Sequence, residues 1–176
     1  GIYTKLAIYK SKKDTEPLAI LENDVFYKNY MDEGFDYFGN KVTYNRNMRI
    51  IEMAEDGTYL KLWLSAGLNI NDSTVWHPKD LYQRVCKHVG YPQPLSIVGG
   101  GNMKLITDCM GVNWDCVCDY YADALNYCIA EEGYEIIFSH LHNIDLQGHM
   151  FLKMLKYHEG NKISEADAQL ALQRMY

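Results

Sequence analysis

The chain has 176 residues, of which 48% are hydrophobic and 13% aromatic, enough apolar material for one substantial core or for a core with a smaller lobe. It carries 17 basic and 23 acidic residues, with no basic cluster longer than Lys12-Lys13, so the electrostatic footprint of a nucleic-acid binder is missing. No apolar run approaches the roughly 20 residues that span a bilayer, and the N-terminus lacks the charged-then-apolar order of a signal peptide, so neither nucleic acid nor a membrane is an expected partner. The sequence begins with Gly1 and stops at Tyr176 within a helix-like pattern. A longer parent, with room for a targeting segment, is therefore expected.

In chain order, Lys5 to Tyr9 is a short alternating run, Ser11 to Pro17 a polar turn, and Leu18 to Val25 a second strand-like run. Arg49 to Met53 and Thr58 to Leu64 flank Ala54-Glu55-Asp56-Gly57, where Asp-Gly predicts a hairpin because glycine adopts positive φ without steric cost. Trp76-His77-Pro78 opens a helix with the apolar stripe Leu81, Val85, Cys86 and Val89, proline being tolerated in a first turn. Gly90 closes it. After Tyr91-Pro92-Gln93-Pro94, Leu95 to Val98 reads as a short strand running into Gly99-Gly100-Gly101-Asn102. That turn lacks the GxGxxG and GxxxxGK spacings that cradle phosphate.

Asn113 predicts the N-cap of a helix whose stripe is Val117, Tyr121, Ala124, Leu125, Cys128 and Ile129, with Gly133 as its stop. Tyr134 to Leu141 predicts a buried strand. Met150 to Tyr157 resumes helical character, Glu159-Gly160-Asn161 interrupts it, and Ser164 with Asp167 predicts a capping box on a final helix. The cysteines Cys86, Cys109, Cys116, Cys118 and Cys128 lack CxxC pairing and read as small buried hydrophobes. A reducing, cytoplasmic setting follows. The predicted class is α/β or α+β, with a β-rich region over 1–112, holding a hairpin and one or two helices, and a helix-strand-loop-helix unit over 113–176.

The chemically densest segment is Ser139-His140-Leu141-His142-Asn143-Ile144-Asp145-Leu146-Gln147-Gly148-His149. Neutral imidazole and carboxylate oxygen are ligands that zinc and similar ions accept, and in open parallel sheets ligands bind beyond the carboxyl ends of strands. The competing reading makes His140 and His142 hydrogen-bonded surface residues on a strand end, with Asp145 capping a helix that begins near Gln147.

Ile136-Ile137-Phe138-Ser139-His140-Leu141-His142 resembles the HxHxDH motif of metallo-β-lactamase-like hydrolases. Asn143 and Ile144 intervene before Asp145, however, and Leu146 stands where that motif has histidine. Asp145-Leu146-Gln147-Gly148-His149 resembles the DxxGH motif of the nucleotide pyrophosphatase/phosphodiesterase family of the alkaline phosphatase superfamily, with Ile144 where the family usually has proline. This resemblance implies that Asp145 and His149 bind one of two zinc ions, with Gly148 allowing a tight turn between them. His140 and His142 would line the substrate pocket or orient the ligands.

It further implies an alkaline-phosphatase-like core unit over 113–176, a cap or insert over 1–112, and hydrolysis of phosphodiester or pyrophosphate bonds in a small phosphorylated substrate such as a nucleotide. The family's nucleophile, its N-terminal Asp and its later Asp-His pair have no counterpart here, so the chain is expected to be inactive alone and to need the remainder of its parent. Trp63, Trp76 and Tyr59 either stack on a nucleoside or belong to the core. The alternative from another class is a non-catalytic binding or regulatory module with structural histidines.

Overall fold

The computed structural model describes residues 1–96, 105–159 and 164–175. It is an α+β fold, strands in the first part and helices in the second, and every ladder is antiparallel among the described residues. Strand β1 (Lys5–Ile8) pairs with β2 (Ala19–Glu22) in a two-stranded sheet. In the larger sheet β4 (Lys41–Met53) is central, with β3 (Phe26–Phe35) on one side and β5 (Leu60–Leu64) and β6 (Leu68–Asn69) on the other. The predicted hairpin joins β4 to β5. Its turn is closed by Ala54 N–H donating to Tyr59 O at 2.9 Å, and Gly57 sits at φ +75°, where a side chain would be strained.

Leu21, Met48 and Ile50 form the core between the two sheets, flanked by Leu6, Ile8, Tyr27, Tyr30 and Leu62. A second core lies among the helices: Ile106, Met110, Trp114, Phe151 and Ala171. Helix α1 (Lys79–His88) starts after Pro78, as the proline predicts. A π-helical stretch, Ile106–Gly111, runs unbroken into α2 (Val112–Ala130), and α3 (Asn143–Glu159) and α4 (Glu165–Met175) follow. The capping box is present, with Asp167 N–H donating to Ser164 Oγ at 3.1 Å. No helix among the described residues is long and apolar enough to cross a membrane.

Three expectations are corrected. Asn113 does not cap α2: it is fully buried within a helical run that already began upstream. Tyr134 to Leu141 is not a strand, and the predicted helix-strand-loop-helix unit becomes helix-loop-helix; among the described residues no backbone pairing completes a ladder there. The buried residues of α2 are Asn113, Trp114, Cys116 and Val117, all near its start, whereas Tyr121 and Ile129, further along the predicted stripe, are exposed. Leu95 and Ser96 belong to no regular element, while the rest of that predicted strand and the glycine-rich turn lie outside the described residues.

The two cores are joined by buried amides. Asn47, facing inward from β4, donates from Nδ2 to Asn113 Oδ1 at 2.8 Å and Gln93 Oε1 at 3.1 Å, and its Oδ1 accepts from Asn29 N–H at 3.0 Å. Asn29 occupies the β-bulge of β3 at φ +61°, a conformation that asparagine tolerates better than most residues. Asn113 donates in turn to Pro94 O at 2.6 Å, and Trp114 Nε1 to Ser96 O at 2.7 Å. From the same strand, Arg49 donates to the carbonyl of Asp108 in the π-helix at 3.0 Å.

At the other end of α2, Arg84 of α1 forks onto Glu132, with Nε–Oε1 at 2.6 Å and Nη2–Oε2 at 2.8 Å, and also pairs with Asp80. The guanidinium and the Tyr127 hydroxyl hold the Glu132 carboxyl at about 2, against an ordinary value of 4.5.

Substituting Asn47→Ala leaves Asn113, Gln93 and the Asn29 amide without this partner, and is expected to cost about 3 kcal/mol, read as a lower midpoint in urea at unchanged slope. Because the folded value of Glu132 is depressed, its contribution is full above about 4.5 and is lost as the pH falls toward about 2. Acid titration of Glu132→Gln should show a shallower loss of stability across that window than the parent sequence.

Candidate functional site

Helix α3 carries the site, and the helical core sets its rotation. The carbonyl of His142 accepts from Leu146 N–H at 3.1 Å, which makes His142 the residue before the first turn. Asn143 is buried, with Nδ2 3.2 Å from both Trp114 O and Cys118 Sγ. Leu146 and Phe151 pack into the helical core. These contacts turn Ile144, Asp145 and His149 outward.

On that outward face Asp145 Oδ1 lies 3.3 Å from His149 Nε2, one turn further on, and Asp145 Oδ2 lies 3.6 Å from His142 Nε2. His142 Nδ1 in turn meets His140 Nε2 at 3.1 Å. All four residues predicted from the sequence thus join one chain, His140 to His142 to Asp145 to His149. Asp145 and His149 are 54% and 78% exposed, so these pairings contribute well under about 1 kcal/mol to stability. An acidic residue in the first turn also suits the positive end of the helix.

The structure changes the reason for the geometry. The helix begins at Asn143, not near Gln147, so Asp145 and His149 meet through the i,i+4 spacing of a regular helix. Gly148 does not make a tight turn: it lies inside α3, and a Cβ there would meet nothing within 4 Å.

Two zinc ligands at about 2.0–2.2 Å in a tetrahedral shell stand roughly 3.4 Å apart, so Asp145 Oδ1 and His149 Nε2, at 3.3 Å, are spaced like two corners of such a shell. Their chemistry, a carboxylate oxygen and an imidazole nitrogen, also fits. Among the described residues no group of three or more His, Cys, Asp or Glu side chains gathers to hold an ion. The pair has the chemistry and spacing of two ligands, fewer than a full tetrahedral shell.

Beside this face opens a cleft of about 730 Å³, bounded by β6, α1, α2 and the segment from Ser139 to Asn143. Trp76, Tyr82, Tyr120, Tyr121 and Leu125 are among its walls, and His140 and His142 stand on its border. The Trp76 and Tyr82 rings are 5.2 Å apart, and the Tyr82 hydroxyl donates to Ile70 O at 2.8 Å. Burial pushes the Tyr82 and Tyr120 phenols up, so both stay neutral donors at physiological pH. Of the three aromatics singled out in the sequence, only Trp76 borders the cleft. Trp63 is buried against Phe26, with centroids 5.8 Å apart, and Tyr59 lies elsewhere on the surface.

The cleft was missed from the sequence although its signal was present. The stripe Val117, Tyr121, Ala124, Leu125 and Cys128 has one-face helical spacing, and it forms the cleft wall. Trp114, two turns before Tyr121 on the same side of the helix, continues that stripe into the helical core. Comparisons with protein-family models, with curated proteins and with solved structures find no match to the chain.

Asn143→Ala should cost roughly 1–2 kcal/mol through its lost hydrogen bonds. It should also shift the imidazole C–H resonances of His142 and His149 in proton NMR, since the start of α3 loses its anchor.

Proposed function

We propose that the chain is part of a metal-dependent phosphodiesterase or nucleotide pyrophosphatase in which Asp145 and His149 hold one of two zinc ions. The observation that carries this reading is the 3.3 Å approach of Asp145 Oδ1 to His149 Nε2 on an outward helix face, where further ligands from the remainder of the parent have access. Zinc bound there supplies Lewis-acid polarisation of a phosphoryl oxygen.

The chain's own residues do the rest. Asp145 and His149 bind the ion, and His142, on the second oxygen of Asp145, orients that carboxylate as ligand partners commonly do. His140, hydrogen-bonded to His142, holds that ring in turn and borders the cleft. The aromatic walls of the cleft suit the flat part of a small phosphorylated substrate such as a nucleotide. The five cysteines are free thiols, which suits a reducing cytoplasm.

A second reading is favoured by the cleft itself. Its largely apolar walls would equally serve a non-catalytic module that binds an aromatic ligand while the histidines remain structural.

Zinc analysis separates the two. The chain extended along its own reading frame is expected to retain two zinc ions and to hydrolyse bis(4-nitrophenyl) phosphate. Asp145→Asn or His149→Ala should each weaken zinc binding by roughly 100-fold or more. Residues 1–176 alone should bind zinc no more tightly than about the micromolar range, because an incomplete shell offers too few bonds. An extended chain without zinc, or with zinc indifferent to both substitutions, sinks the hydrolase reading. Loss of zinc on changing His140 and His142, with Asp145 and His149 variants unaffected, would point instead to a metallo-β-lactamase-like centre.

A further inference from the structure

The cleft beside α2 is walled by aromatic rings and nearly bare of charge. Trp76 and Tyr82 meet at 5.2 Å with their planes 45° apart, and Tyr120 and Tyr121 at 6.2 Å with their planes 78° apart. All four border the same space. Burial holds the Tyr82 and Tyr120 phenols and the Cys128 thiol in their neutral forms, so none of them adds a charge. No lysine or arginine stands among the residues that line the cleft, and the single carboxylate there is Asp72. Thr74 donates to that carboxylate from its hydroxyl and, at 2.9 Å, from its backbone N–H. These bonds hold the Asp72 carboxyl below the usual carboxylate range, and it stays ionised.

Charge decides which ligand such a space accepts. Its volume of about 730 Å³ is that of an ordinary small-molecule site. An anion entering it gives up hydration and finds no guanidinium or ammonium group in exchange. A neutral apolar ligand gains from burial alone. An organic cation gains the same burial, the attraction of aromatic faces, whose quadrupole turns negative charge toward the ligand, and a counter-charge in Asp72. Steeply inclined rings surround a rounded, alkylated ammonium group from several sides. The net charge of −6 on the chain also raises the local concentration of cations around it.

We propose that the cleft is a binding site for a small organic cation, an alkylated ammonium group on an apolar or aromatic body, held by Trp76, Tyr82, Tyr120 and Tyr121 with Asp72 as its counter-charge. The inference deepens the second reading above, in which the cleft is a binding site in its own right. It uses neither the Asp145 and His149 pair nor zinc.

Three aryl probes of similar size and different charge test it by isothermal titration calorimetry on residues 1–176: phenyltrimethylammonium, neutral N,N-dimethylaniline and anionic benzenesulfonate. The titrations are run at pH 8, where free imidazole is uncharged, because His140 and His142 border the cleft. The cation should bind at least about 10-fold more tightly than dimethylaniline, and benzenesulfonate should give no heat of binding. Trp76→Leu and Tyr121→Leu should each weaken the cation about 5-fold or more. Tyr121 is 43% exposed, so its replacement is readable even if loss of Trp76 unfolds the chain. Asp72→Asn, which keeps an acceptor for Thr74, should weaken the cation about 3-fold and flatten its dependence on salt. Tighter binding of dimethylaniline than of the cation sinks the charge assignment and spares the cleft as an aromatic-ligand site. Binding of none of the probes at about 10 mM sinks both. Preference for benzenesulfonate, or cation binding indifferent to Tyr121→Leu and Asp72→Asn, also overturns the proposal.

Discussion

The bond between Asn47 and Asn113 is the constraint on which the rest of the architecture depends. Both amides are fully buried, so each must find partners inside the protein or leave polar atoms at a cost of about 1–3 kcal/mol apiece. Asn47 finds them in Asn113, Gln93 and the Asn29 backbone. The geometry that satisfies all three fixes β4, the Tyr91 to Ser96 strap and α2 relative to one another. Apolar packing alone is tolerant of sliding, whereas directional bonds are not. The amides therefore set the register between two cores that share none of their buried side chains.

That register reaches the candidate site in one more step. Trp114, the residue after Asn113, gives its carbonyl to Asn143, and Asn143 begins the helix that bears Asp145 and His149. The position of two exposed polar side chains is thus set by a line of buried ones beginning in a strand. Exposed ion pairs on a helix are worth too little to position themselves; the order comes from beneath.

What the sequence disclosed follows the range of the interactions involved. The Asp56-Gly57 hairpin, the helix after Pro78 and the Ser164–Asp167 box were legible because each depends on a few adjacent residues. Strand β3 and the first half of β4 were not, because Asn45 and Asn47 occupy inward positions where alternation leads one to expect apolar side chains. Their partners lie up to 66 residues away, beyond any local pattern. For the site, the Asp145 and His149 spacing was readable as a motif, and its setting on regular helix instead of a loop was not. The apolar spacing along α2 was seen, but not that its later part meets a cleft, since periodicity tells which residues share a face and not what that face meets.

Helix α2 serves two compartments in succession along one stripe. Its first turns press into the helical core through Trp114, and its later turns line the cleft through Tyr121 and Leu125. A guest in the cleft would lean on the same rod whose carbonyl at Trp114 holds Asn143 and, through it, the Asp145 and His149 pair. If a ligand in the cleft shifted that rod, any effect on the Asp145 and His149 pair would be matched by an equal effect in return.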